Sequence, residues 1–521
     1  MNLNEIYLNS VTLLTRIEPH KKRLSIIAAA TALLYTYISI KNSTKKYSKN
    51  QKEIPTPRFS YPIVGHLLSL GDEPDRTIAT WHNELGPILQ LQLGVLRWIS
   101  ISEPKLAHKL LASLGSKSSF RYQPSFLGGH YSMNGKGLVF AQPDGSWKDS
   151  RAVALSLLSP KEIDKYTDII YKESSIFVDT VLDSSIENDG IVPFDYLDFY
   201  ALNTVTNITF GKRFQSQKNP EYRTLCSIAK DVVLFGSVTN NLQDYLPAVS
   251  IAQYFYGTQS KMKQFIEMKR NPIFQKLIDD ASEAEGINMV KTLDGKSFDL
   301  SDEEKVALIS DIVIAGVDNI SVVLSWNIII MCHHPEVQKM ASAEIDSFIR
   351  LNGRLPLFKE RLQLPYCISV MKECMRYRPN SPFGGPRAVR EDVELDGYLI
   401  PKGTILIANL YGINHDPDFY HNPDMFIPER FMGNPSTMQA ALNGSVENRD
   451  HFSFGWGRRK CPGAHLSEIE IFSTFISVLA KCFIVPTDEG MPDIDRVAQV
   501  GFSNWPRKFK VKFTKRPDSL I

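Results

Sequence analysis

The segment Phe454-Gly455-Trp456-Gly457-Arg458-Arg459-Lys460-Cys461-Pro462-Gly463 holds the residues best suited to chemistry. Cys461 sits in a loop where Gly455, Gly457 and Gly463 let the backbone turn tightly and approach a flat partner closely. Pro462 and Gly463 are expected to begin a helix with a buried stripe of Leu466, Ile469, Phe472, Phe475, Ile476 and Leu479. Cys461 would then stand at a helix N-terminus beside three cations, where free amides and the dipole favour a thiolate. A lone thiolate in such a loop suits an axial metal ligand. On these residues alone, a buried inert cysteine remains the alternative.

The other cysteines are Cys226, Cys332, Cys367, Cys374 and Cys482. None has the two-residue spacing of a zinc or redox motif, and six in 521 residues make no disulfide scaffold. With 43% hydrophobic and 22% charged residues, the chain is not disordered, collagen-like or polytopic. A net charge of +2 provides no global basic field for nucleic acid. Length alone predicts about three domains. The body nevertheless lacks repeats, low-complexity tracts and linkers, and it reads as one large unit.

Residues 24–40, LSIIAAATALLYTYISI, carry no charge. Lys21, Lys22 and Arg23 precede this stretch, and Lys41, Lys45, Lys46, Lys49 and Lys52 follow it. At 17 residues it is at the lower limit for crossing a bilayer, where about 20 are usual. The following lysines argue against a cleaved secretory signal. Residues 1–52 are therefore expected to form a membrane anchor with a basic flank. Pro55, Pro57 and Pro62 make 53–65 a stiff connector, and 66–521 are expected to form a single domain. The alternative for 24–40 is an interfacial or core helix.

The elements that must position Cys461 are mainly α, with small β-sheets. Ser301-Asp302-Glu303-Glu304 is a capping box, and the helix after it is apolar on nearly every face, as befits a helix buried through a domain centre. Pro335 starts the next helix and Gly353 closes it, and another covers Tyr366–Tyr377. Asp396-Gly397 predicts a hairpin, Ile405–Ile407 a short strand, and the alternation over Lys508–Phe513 a final strand.

Phe454, Gly457, Arg459, Cys461 and Gly463 fill every defined position of the haem-binding loop of the cytochrome P450 family, which this chain resembles. Four more motifs follow the family order: Trp147-x-x-x-Arg151, Ala315-Gly316-Val317-Asp318, Glu373-x-x-Arg376 and Pro428-Glu429-Arg430-Phe431. The general resemblance is to fungal, microsomal members. It implies the P450 fold, with a long central helix over haem b. It also implies Cys461 as the iron's thiolate ligand, and Phe454, Gly457 and Gly463 as its loop. Trp147, Arg151, Arg387 and Arg459 become the propionate partners, Arg387 by position only. Glu373, Arg376 and Arg430 become a structural charge network, and Ala315, Gly316, Asp318 and Asn319 the oxygen-activating turn.

The implied activity is monooxygenation of an apolar steroid, terpenoid, fatty acid or xenobiotic. Electrons would come from NADPH through a separate NADPH–cytochrome P450 reductase, with cytochrome b5 as an optional second donor, at the endoplasmic reticulum membrane with the body facing the cytosol. Arg458 and Lys460 would attract that acidic partner. Pocket candidates are Phe126-Leu127, the stretch 235–256, Leu308, Asp311, Ile312, Ala315, Pro382-Phe383-Gly384 and Gly501-Phe502-Ser503. The family places a threonine after the central acid, and here Asn319 stands there. That departure keeps open a peroxide-rearranging isomerase or dehydratase. A haem carrier or sensor, or a membrane scaffold, would need fewer of these residues.

Overall fold

The computed structural model describes residues 30, 31, 34, 52–247, 249, 250, 257–296 and 298–521. The expected anchor at 24–40 lies outside the described residues except for Ala30, Thr31 and Leu34. So do residues 248 and 251–256 of the pocket stretch 235–256. Among the described residues the fold is mainly helical, with a five-stranded sheet and three two-stranded ones.

The central helix runs Asp302–His333. Its capping box is formed: Ser301 N–H donates to Glu304 Oε2 at 2.9 Å, and Glu304 N–H to Ser301 Oγ at 3.4 Å. Among the described residues it is the helix long and apolar enough to cross a membrane, yet 72% of its apolar window is buried in protein. It is a core helix. It packs along Phe194–Phe210 and against Ala464–Lys481. A Cβ on Gly316 would meet Val205 Cγ2 at 3.1 Å, so glycine there lets two helices lie close.

The large sheet runs in the order Ile88–Leu93, Leu96–Ile101, Ile405–Ala408, Arg387–Ala388, Phe120–Arg121. Leu96–Ile101 and Ile405–Ala408 pair in parallel, and the remaining pairs are antiparallel. A buried cluster including Leu111, Leu406, Phe452 and Trp456 connects this sheet to the Cys461 loop. Asp396 and Gly397 both have positive φ, closing the expected hairpin between Val393–Leu395 and Tyr398–Ile400.

Two expected boundaries move. The last strand is Val511–Lys515, paired with Cys482–Pro486, and not 508–513. Alternation reports which side chains are buried, but a strand also needs a partner, and the pairing begins only at Val511. The helix after Cys461 starts at Ala464, because Gly463 supplies the first accepting carbonyl, to Ser467 N–H at 2.9 Å. Pro462 and Gly463 therefore lie before its first turn.

On the helix Pro365–Tyr377, Arg376 makes a two-pronged pair with Glu373 at 2.7 and 2.8 Å. Arg430 Nε reaches the same carboxylate at 3.1 Å, and Ile427 N–H donates to it at 2.9 Å. Arg376 also donates to the carbonyls of Asn414, Pro423 and Met425. Glu373 and Arg376 are fully buried, so the network tolerates no missing partner. Glu373→Gln is expected to destabilise the protein by about 3–5 kcal/mol, measured by denaturant unfolding.

Candidate active site

The Cys461 loop closes on itself through Cys461 N–H donating to the Phe454 carbonyl at 2.9 Å. Gly457 has φ +55°, and a Cβ there would lie 2.7 Å from Leu111 O and 2.8 Å from Ala112 Cα. No side chain fits. At Gly463 a Cβ would meet Cys461 Sγ at 3.9 Å, an ordinary contact, so space alone does not require glycine at that position.

Part of the Cys461 surface stays accessible, although the residue lies deep within the fold. Burial raises its thiol above the ordinary cysteine value, while the Gly463 amide and the Arg151 charge pull it back down. The expected thiolate is thus not secured by the loop alone. One amide and one cation act on it, but desolvation is the larger effect, and a bound metal cation would supply the missing stabilisation. The cysteines Cys226, Cys332, Cys367, Cys374 and Cys482 are also free, and burial raises each of their thiols.

Beside this loop four arginines gather. Arg121 and Arg387 stand directly opposite each other on neighbouring strands, a like-charge pairing that destabilises a sheet by itself. Arg459 donates to the carbonyls of Ser119, Leu138 and Ala141 at 2.9, 3.2 and 2.6 Å, and lies over the Trp147 ring at 4.1 Å. Arg387 donates to Leu111 O and Trp456 O, Arg151 to Lys460 O, and Arg121 to Val139 O. Trp147 Nε1 donates to Leu138 O at 3.1 Å.

Among the described residues, none of these arginines pairs with a carboxylate. Burial first, and then their mutual repulsion, lowers Arg459 to about 8, Arg387 to about 9 and Arg121 to about 10; Arg151 is lowered chiefly by burial. Guanidiniums forced together in this way are suited to receiving an anion with paired oxygens. The cluster therefore fits a group bearing carboxylates, such as haem, next to a thiol able to ligate its iron.

The loop above the cluster has two faces. The Leu138 and Val139 carbonyls face the arginines, while their N–H groups donate to Asp311 of the central helix at 2.7 and 3.1 Å. The Tyr131 hydroxyl also donates to Asp311, at 2.9 Å. Asp311 thus anchors the loop. Phe126 belongs to the core, packed on Phe235 and Phe265.

One turn beyond Asp311, Ala315 is exposed on a helix whose neighbouring residues are mostly buried. Asn319, four residues on, donates from Nδ2 to the Ala315 carbonyl at 3.0 Å. Asp318 accepts from Ser503 Oγ and from Trp505. Burial raises its carboxyl, and those two donors partly offset the rise. Across from it, Asp198 is pushed up to about 6, mainly by burial.

The structure thus gathers Cys461, Phe454, Gly457 and Gly463 in one loop, with Trp147, Arg151, Arg387 and Arg459 beside it. Ala315, Asp318 and Asn319 share the central helix, while Gly316 serves helix packing. Sequence reasoning missed Arg121, which belongs to no motif and sits in a two-residue strand, and also Asn380, which touches Asn319. Gly457→Ala is expected to lose most of its bound haem, through a steric and φ penalty of about 1–3 kcal/mol, measured as haem per protein.

A cytochrome P450 family model matches residues 55–513. Cytochrome P450 1A1 of Sparus aurata is 26% identical over 506 residues, covering 92% of this chain and 94% of that one. The cytochrome P450 monooxygenase claT of Ampulloclitocybe clavipes is 26% identical, covering 95% and 98%. A solved zebra fish cytochrome P450 with progesterone superposes with a TM-score of 0.71 at 22% identity, over 85% of this chain and 99% of that one. With the Cys461 loop and the arginine cluster in place, these matches make the chain a monooxygenase of the cytochrome P450 family.

Proposed function

We propose that this chain binds haem b with Cys461 as the iron ligand and inserts one oxygen atom of O2 into an apolar small molecule. The observation that carries this reading is the arginine cluster, with Arg387 and Arg459 buried and Arg121 and Arg151 half-buried, which lacks a carboxylate partner among the described residues, beside a free thiol. Arg121, Arg151, Arg387 and Arg459 would turn from backbone carbonyls to the propionates, with Trp147 packed against Arg459. When bound, haem supplies the dioxygen activation, and a thiolate ligand favours O–O cleavage.

The other roles belong to the chain's own side chains. Asp318, whose carboxyl burial raises above its ordinary value, can deliver protons from the Ser503 side through water. Asn319 can hold such a water but relays a proton poorly, because an amide lacks a hydroxyl's exchangeable donor–acceptor oxygen. Aromatic pairs such as Phe140 and Phe502, 5.8 Å apart, favour an apolar substrate: a steroid, terpenoid, fatty acid or xenobiotic. Electrons would come from NADPH through a separate reductase, with Arg458 exposed beside the ligand loop to attract an acidic partner. The uncharged run 24–40 between basic flanks supports an endoplasmic reticulum anchor with the body in the cytosol.

The reduced, carbon-monoxide-bound spectrum should show the thiolate band that gives the family its name, and Cys461→Ala should abolish it. Retention of the band in that variant would overturn the ligand assignment. With NADPH and reductase, Asn319→Thr should couple electron use to product at least as well as the natural chain. Total loss would make the amide itself catalytic, and hydroperoxide turnover without NADPH would favour the rearranging reading. Because Asp318 must be protonated to donate, the rate should fall as pH rises through its raised pKa. Ser503→Ala removes a donor to the carboxylate, so this alkaline limb should move to higher pH.

A further inference from the structure

Asn319 is held at both ends of its amide. The Ala315 carbonyl can only accept, so the atom facing it at 3.0 Å must be the Asn319 NH2. The amide oxygen then points the other way, where Asn380 Nδ2 donates to it at 2.6 Å. Reversing either amide would set two donors or two acceptors face to face.

Asn380 is itself fixed. It is only 9% exposed, and its backbone carbonyl accepts from Asn504 N–H at 2.8 Å. Asn504 in turn donates its side chain to Asp75 at 2.7 Å, and its carbonyl accepts the Trp326 indole at 2.7 Å. The preceding residue, Ser503, holds Asp318. One strand, Ser503–Pro506, therefore holds the acid directly and the amide through Asn380.

We propose that Asn380 is a positioning residue that locks the Asn319 amide with its NH2 end toward the exposed Ala315, so that this face of the central helix presents an N–H donor in place of a hydroxyl. This rests on the reading of Asn319 as bordering the oxygen side. One of its two amide hydrogens goes to Ala315, and the other is left to orient a water or ligand. A threonine side chain, one bond shorter, would not reach Asn380, so the two positions act together only while residue 319 is asparagine.

The test is a double-mutant cycle on the haem-loaded protein. It reads the infrared C–O stretch of the reduced carbon monoxide complex, which senses a nearby N–H donor, and the peroxide released per NADPH with reductase. Asn380→Leu should shift or split the C–O band and raise peroxide release roughly three- to tenfold, the change in amide orientation that one hydrogen bond can control. In an Asn319→Thr background the same substitution should change neither. Equal effects in both backgrounds, or no effect in the natural one, would overturn the proposal. If Asn319→Leu alone leaves the band and the peroxide unchanged, the fault lies instead in placing Asn319 at the oxygen side. Should Asn380→Leu fail to retain haem, the smaller Asn380→Ala, which has no donor, takes its place with the same outcomes.

Discussion

Four guanidinium groups stand together inside this protein with no carboxylate to neutralise them among the described residues, and the architecture around Cys461 answers to that charge. A short strand pairing sets Arg121 opposite Arg387, the ligand loop brings Arg459, and the helix Gly145–Leu157 brings Arg151. Backbone carbonyls of residues 111, 119, 138, 139, 141, 456 and 460 turn inward to accept from them. Neutral acceptors relieve such a cluster only partly. A group bearing carboxylates would complete the compensation.

The same chain also shows buried charge handled in the opposite way. Glu373, Arg376 and Arg430 satisfy one another and a ring of carbonyls, leaving no capacity for a ligand. Lys372 and Asp450 form a second buried ion pair, at 3.0 Å. Closed networks hold the fold, while the open one waits for a partner. This difference in compensation separates structural from functional charge better than burial does, because both kinds are buried.

Asp311 joins the two halves of the site. Its carboxylate gathers two loop amides on the central-helix side, which leaves the carbonyls of the same loop pointed at the arginines. One turn later the helix exposes Ala315, and the next turn carries Asp318 and Asn319. The strand Ser503–Pro506 then holds Asp318 directly and Asn319 through Asn380, although it is more than 180 residues away in sequence. The ends of the site are thus held by elements with no chemical role of their own.

Much was legible in the residues before any coordinates. Glycines around Cys461, the Ser301 capping box, the Asp396-Gly397 turn and the all-round apolar central helix are local facts, set by φ preferences, side-chain reach and period. Family motifs then marked Arg151, Arg459, Glu373 and Arg376. Other features depended on which segments meet. Arg121 has no motif, and its meaning comes from standing opposite Arg387. The donors to Asp311 come from a distant loop, and Asn319 looked like a simple loss of hydroxyl until Asn380 faced it. The strand at Val511 began only where its partner did. Local sequence determined conformational permission and chemical type. Only tertiary structure decided partnership, because a hydrogen bond or a like-charge contact exists between segments and leaves no trace in either one alone.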